Sequence, residues 1–183
     1  TGNGPFRAQQ TAEKVRTRYG GSLIEKTQQF VRDEYNNLIY LKDLGFAGPE
    51  DNSIVSNIYI KNTAEYIVDR LTRSVRKNGL VVADWDPDSD WIYAEYYGYD
   101  GGTWLSTPTQ GNATNMWVWN GDQSTNGSKR MWTRTYDARG NVTSETDARN
   151  YTTLFAYSGP ALLFQVSTTN AKGHVTATQW NEA

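Results

Sequence analysis

The densest run of carboxylates is Asp84-Trp85-Asp86-Pro87-Asp88-Ser89-Asp90, with Glu95 following. Acids at relative positions 1, 3, 5 and 7 with Glu at 12 echo a calcium loop, because a hard cation takes several carboxylate oxygens from one tight turn. Ser89 stands where such a loop needs Gly, and Pro87 restricts its entry. Asp84, Asp86 and Asp88 are therefore candidate Ca2+ ligands, set against the plainer reading of a solvated Asp/Pro/Ser turn. No other metal or cofactor is expected. Asp137 with Asp147, or Glu145 with Asp147, have the residue types of a glycosidase acid and nucleophile. His174 is the single histidine and there is no cysteine, so thiolate chemistry and sites needing two imidazoles are excluded. A base without a placed nucleophile is not a site. No catalytic residue is assigned, and the chain is expected not to be an enzyme.

Aromatic side chains offer a different chemistry. Seven Trp, 12 Tyr and 5 Phe make up 13% of the chain. If exposed, Trp104, Trp117 and Trp119 would stack on sugar rings, as in a secreted carbohydrate-binding or adhesion module. The competing reading is that they fill a sheet, since cross-strand aromatic pairs stabilise wide β-surfaces. β-Branched and aromatic residues of this kind suit a pleated, half-buried surface.

The elements that would carry such groups are bounded by composition. The chain has 183 residues, with 18 Lys plus Arg against 20 Asp plus Glu, a formal net charge of -2. No basic field is available overall to draw in nucleic acid. No apolar run reaches the roughly 20 residues of a membrane-spanning helix. The first residues, Thr-Gly-Asn-Gly, lack Met and a charged start followed by an apolar stretch, which predicts an excised or mature segment.

Three heptads align in the last third: Asp137-Ala138-Arg139-Gly140-Asn141-Val142-Thr143, Asp147-Ala148-Arg149-Asn150-Tyr151-Thr152-Thr153 and Asn170-Ala171-Lys172-Gly173-His174-Val175-Thr176. Each opens with Asp or Asn, places a cation third and Gly or Asn fourth, and ends with Thr. That order is a turn followed by a strand: Asp or Asn caps its own backbone, Gly or Asn tolerates positive φ, and Val/Thr begin the extended run. A more degenerate copy spans Arg32 to Asp43, with Asp33, Asn37 and Asp43, and with Asn36 in the place of Gly140. His174 is then a turn residue.

Between turns the pattern alternates. Tyr151, Thr153, Phe155 and Tyr157 share one predicted face, Trp132, Arg134 and Tyr136 another, and Trp91, Tyr93, Glu95, Tyr97 and Tyr99 a third. Short strands between Gly/Asn/Asp turns predict an all-β chain of antiparallel hairpins. One segment has helical spacing: Ala64, Ile67, Val68, Leu71 and Val75, after a possible cap at Asn62 or Thr63 and with Gly79 as a stop, predict one short helical turn over 63–69 running into a strand over 71–77. Residues 8–18 are ambiguous, and 100–130 read as a long loop or irregular hairpin.

The segment Thr135-Tyr136-Asp137 through Gly140-Asn141, Asp147 and Asn150 to Tyr157 resembles the YD repeat of Rhs proteins, departing at Asn150 where that family usually has Gly. More of the chain is similar to the bacterial branch that includes the B and C shell proteins of Tc toxin complexes: Asp33 to Asp43, Asn62 to Arg70, Tyr99-Asp100-Gly101, and Leu163 to Gly173. The resemblance implies hairpins wound into part of a spiral sheet or shell enclosing or presenting a toxin moiety, in a secreted or extracellular bacterial protein. Asp33, Asn37, Asp43, Tyr136, Asp137, Gly140, Asn141, Asp147, Asn150 and Gly173 would then be structural repeat-turn residues. Neighbouring repeats of a larger polypeptide, or toxin-complex subunits, would be the partners, with glycans in the alternative reading and no nucleic acid. The family's self-cleaving core motif has no counterpart. The expected organisation is degenerate hairpins over 1–83, an acidic turn, aromatic strand and long loop over 84–130, and repeat hairpins over 131–183.

Overall fold

The protein is described by a computed structural model over residues 11–46, 51–79, 91–119, 128–159 and 162–180. It is all-β, with antiparallel strands following one another in a single sheet in chain order. The strands are β1 (Ala12–Tyr19), β2 (Ser22–Arg32), β3 (Leu38–Asp43), β4 (Ser53–Asn62), β5 (Ile67–Asn78), β6 (Trp91–Tyr99), β7 (Ala113–Trp119), β8 (Ser128–Tyr136), β9 (Val142–Asp147), β10 (Thr152–Ser158), β11 (Phe164–Thr169) and β12 (Val175–Ala177). Of the ambiguous stretch 8–18, residues 12–18 are strand, and within 100–130 β7 and the start of β8 form the irregular hairpin, one of the two expected alternatives, paired antiparallel with a register shift at Met116/Trp117. Among the described residues no helix is long and apolar enough to cross a membrane.

The expected helical turn over 63–69 is not formed. Thr63 to Tyr66 make a tight turn in which the Asn62 carboxamide accepts the Glu65 N–H at 3.3 Å, and β5 already begins at Ile67. Tyr66 takes a φ of 53°, which reverses the chain instead of continuing a helix. The apolar spacing that suggests a helix is absorbed by a strand buried on parts of both faces.

Two compact units divide at Tyr59/Ile60, Thr72/Arg73 and Ala94/Glu95, so that β4, β5 and β6 each run through both. In the first unit Ile54, Val75 and Ala94 are buried, with Ser53 and Arg73 beside them as buried polar groups. In the second unit Tyr99, Thr72 and Pro108 are buried. Tyr99 donates its hydroxyl to the Leu71 carbonyl at 2.7 Å, so the buried ring keeps its polar end satisfied.

Side chains tie neighbouring strands where the pleat brings them opposite. Arg134 and Glu145 are register partners and form an ion pair at 2.7 Å, while the Arg134 guanidinium lies 4.0 Å from the Trp132 ring centroid. The hydroxyls of Thr146 and Thr152 meet at 2.8 Å. Along β10, Thr153, Phe155 and Tyr157 are half-buried and Leu154 and Ala156 exposed, the predicted alternation, whereas Tyr151, expected on the half-buried face, stands in the corner before the strand and is 60% exposed.

Candidate functional site

Four hairpin corners share one hydrogen-bond plan. At Asp137 the backbone N–H donates to the Asn141 carbonyl at 2.9 Å, and the Gly140 N–H returns to the Asp137 carbonyl at 3.1 Å. The Asp137 carboxylate oxygen Oδ1 accepts the N–H groups of Arg139 and Asn141, and Oδ2 accepts the Asn141 carboxamide at 2.9 Å. The same backbone pair links Asp33 with Asn36 and Asn37, Asp147 with Asn150 and Tyr151, and Asn170 with Gly173 and His174. In each, the leading side-chain oxygen also caps two N–H groups further on. The fourth residue always has positive φ: 72° at Asn36, 85° at Gly140, 65° at Asn150 and 80° at Gly173. This is a three-residue connection closed by a left-handed residue, which favours Gly and then Asn.

The predicted turn residues Asp33, Asn37, Asp137, Gly140, Asn141, Asp147, Asn150 and Gly173 all sit in these corners. Tyr136 enters one of them and donates its hydroxyl to the Ala113 carbonyl at 2.6 Å. Asp43 differs. It ends β3 and, although it accepts the Gly45 N–H at 3.2 Å, its carboxylate mainly holds Lys26 Nζ at 2.6 Å and Gln28 at 3.3 Å. Asp43 stands where β3 gives way to β4, opposite Ser53, but without the backbone plan of the four corners, since Leu44 donates back to Thr27 and stays paired with β2. Asn170 and His174 do form a corner, with His174 Nδ1 at 3.4 Å from the Asn170 carboxamide.

These contacts occupy the carboxylates. The hydrogen bond from the Asn141 side chain, followed by that from its N–H, holds Asp137 below the ordinary Asp range. Glu145 is held by Arg134, and Asp147 accepts the Arg149 and Tyr151 N–H groups. Asp84, Asp86 and Asp88 lie outside the described residues. Among the described residues no three His, Asp or Glu side chains cluster as a metal site would require.

The aromatic candidates are packed. Trp104, Trp117 and Trp119 are half-buried. Trp104 lies 5.5 Å from Tyr96, and Tyr97 lies 6.5 Å from Trp132, both between tilted rings. The indole of Trp117 covers Gly98, where an added Cβ would come within 3.2 Å of it.

Sequence reasoning missed the role of Asp100. Its φ of 53° and that of Gly101 at 81° reverse the chain after β6. Its carboxylate then accepts four N–H groups, from Thr109 at 2.7 Å and from Gln110, Gly111 and Asn112 at 2.9 Å. Burial works to raise its pKa, but these donors outweigh it and hold the carboxyl below the ordinary Asp value. The loop is further tied to β4 and β5. Asn62 donates to the Pro108 carbonyl, Arg70 to that of Gly111, and Thr72 to that of Trp104. The signal was Asp-Gly after an aromatic strand, a turn dipeptide; its four acceptor contacts are nine to twelve residues away and leave no local trace.

No protein-family model matches the chain, and no curated protein matches it.

Proposed function

We propose that this chain is a wall segment of a YD-repeat shell of the Rhs type, built to enclose or present a toxin moiety, and that its work is mechanical and protective. The observation that carries the reading is the recurrence of one corner at Asp33, Asp137, Asp147 and Asn170, each returning a strand beside the one before it. A sheet assembled in chain order by such corners can be lengthened by adding hairpins without redesigning what precedes them. Carboxylates consumed by their own turns, and Trp104, Trp117 and Trp119 packed against the sheet, fit a structural role better than the stacking of sugars. The similarity of Thr135 to Tyr157 to the YD repeat, and of Asp33 to Asp43, Asn62 to Arg70, Tyr99 to Gly101 and Leu163 to Gly173 to its bacterial shell branch, supports reading the wall as part of a secreted bacterial protein.

The test uses the full-length gene product. The coding sequence on either side should continue the Asp-x-x-Gly/Asn pattern, and a domain outside it should resist protease until the wall is unfolded by denaturant. A flanking sequence without further repeats, together with saturable quenching of tryptophan fluorescence by oligosaccharide that Trp117→Ala and Trp119→Ala abolish, would replace the wall with the sugar-binding alternative.

A further inference from the structure

Each corner of the three-heptad set carries a cation at its third position, Arg139, Arg149 or Lys172, and the turn needs none there. The hydrogen bonds at that position come from backbone N–H groups. The register places these cations unevenly. β9 is paired to β8 through Trp132 with Asp147, so the start of β8 lies beside the Asp147 corner, and Arg130 reaches Asn150 Oδ1 at 2.8 Å. β10 is paired to β11 through Leu154 with Thr169, which brings the Asn170 corner to the same end of the sheet in the second unit. Lys129, Arg130, Arg149 and Lys172 therefore line one end, with His174 beside Lys172, and all five residues are exposed.

Little negative charge answers them among the described residues. The Asp147 carboxylate is turned inward onto the N–H groups of Arg149 and Tyr151. The third heptad has Asn170 where the others have Asp, which removes the carboxylate from the corner that carries Lys172. Among the described residues Lys129, Arg149 and Lys172 meet no ion-pair partner, whereas Lys14, Arg16, Lys26, Arg70 and Arg134 elsewhere do. The opposite end of the repeat hairpins carries the single corner cation Arg139, in a corner led by Asp137. On a chain of net charge -2 the cationic end is a local feature, not a consequence of composition.

An aromatic ring sits in the same row. Tyr151, the last residue of the Asp147 corner, is 60% exposed, in contrast to the packed Trp104, Trp117 and Trp119. Strands lie about 4.8 Å apart, so corners two strands apart repeat at about 10 Å. We infer that this end of the sheet, with Arg130, Arg149, Tyr151, Lys172 and His174, is a docking surface for an acidic polysaccharide. Spaced cations meet the sulfate or carboxylate groups of a linear chain, and Tyr151 offers a face for a sugar ring. The inference does not depend on the shell reading.

The test measures binding of fluorescein-labelled heparin by polarisation at about 150 mM salt, where the Debye length is about 8 Å and only close charge contacts persist. Saturable binding is expected, with Kd raised at least about tenfold in Arg149→Glu/Lys172→Glu and clearly raised in Tyr151→Ala, while Arg139→Glu binds as the parent does. Far-UV circular dichroism and the melting temperature establish that each variant is folded. No saturable binding, or binding unaffected by the double substitution, overturns the inference. Tighter binding to single-stranded RNA or to phosphatidylserine vesicles than to heparin overturns the choice of polysaccharide, as does Tyr151→Ala binding heparin unchanged.

Discussion

The Asn141 side chain donates both to Asp137 Oδ2 at 2.9 Å and to the Leu162 carbonyl at 3.1 Å, so one carboxamide closes its own corner and fastens the corner of the next hairpin. Asn141→Ala removes both contacts, Asn141→Asp sets a carboxylate against Asp137, and both are expected to lower the melting temperature. Asp is expected to be the worse of the two near neutral pH and to recover toward Ala as acid neutralises the pair. Equal melting temperatures for parent and variants would show that the carboxamide is dispensable.

Gly140 stands at φ 85° with only the Asn112 side-chain oxygen near an added Cβ, at 3.5 Å. Space is available, so Gly140→Ala isolates the conformational cost, expected at about 1–2 kcal/mol in urea unfolding.

Gly98 presents the opposite case, since a Cβ there would meet the Gly102 carbonyl at 2.3 Å and the Trp117 ring at 3.2 Å. Backbone cannot step aside as a flexible side chain can. Gly98→Ala is expected to cost about 3 kcal/mol and to shift tryptophan emission as Trp117 is displaced.

Asp100→Ala leaves four N–H groups without their acceptor and is expected to cost about 2–3 kcal/mol. Because the folded carboxyl titrates below its unfolded value of about 3.9, its contribution is complete above that pH and is lost as pH falls through the folded pKa. Stability measured from pH 6 downward should therefore fall less steeply below about pH 4 in Asp100→Ala than in the parent. Asp43, Asp137 and Glu25 are shifted in the same direction and retain the remaining slope. An unchanged slope would remove Asp100 as the anchor of its loop.

Ile54 is 1% exposed and Leu154 52%, though both are strand residues. Ile54→Ala should cost about 2–5 kcal/mol and Leu154→Ala stay within about 0.5 kcal/mol, read by chemical denaturation.

Much of this architecture is local and therefore legible in the residues. Asp137, Gly140 and Asn141 interact within five positions, so the heptads declare their corners before any packing is known. The alternation in β10 likewise follows from one strand having two faces. Where the local signal was ambiguous the expectation erred. Ala64 to Leu71 fit a helix by spacing, yet β5 is flanked by strands on both sides, and pairing with both outweighs the weak preference of twelve residues for either state. Asp43 repeats an interval and ends a hairpin strand, but not in the plan of the other corners, because Lys26 and Gln28 on the adjacent strand share its carboxylate with the Gly45 N–H.

By itself, then, the order of residues determined an all-β chain, the positions of its corners and the residue types that close them, all set by contacts a few bonds long. Tertiary structure alone decided that Asp100 anchors a loop through residues up to twelve positions away, that Trp117 seals a glycine, and that Arg149 and Lys172 stand at one end of the sheet while Arg139 stands at the other. Those outcomes depend on strand register, which is an agreement between distant segments and is written in neither segment alone.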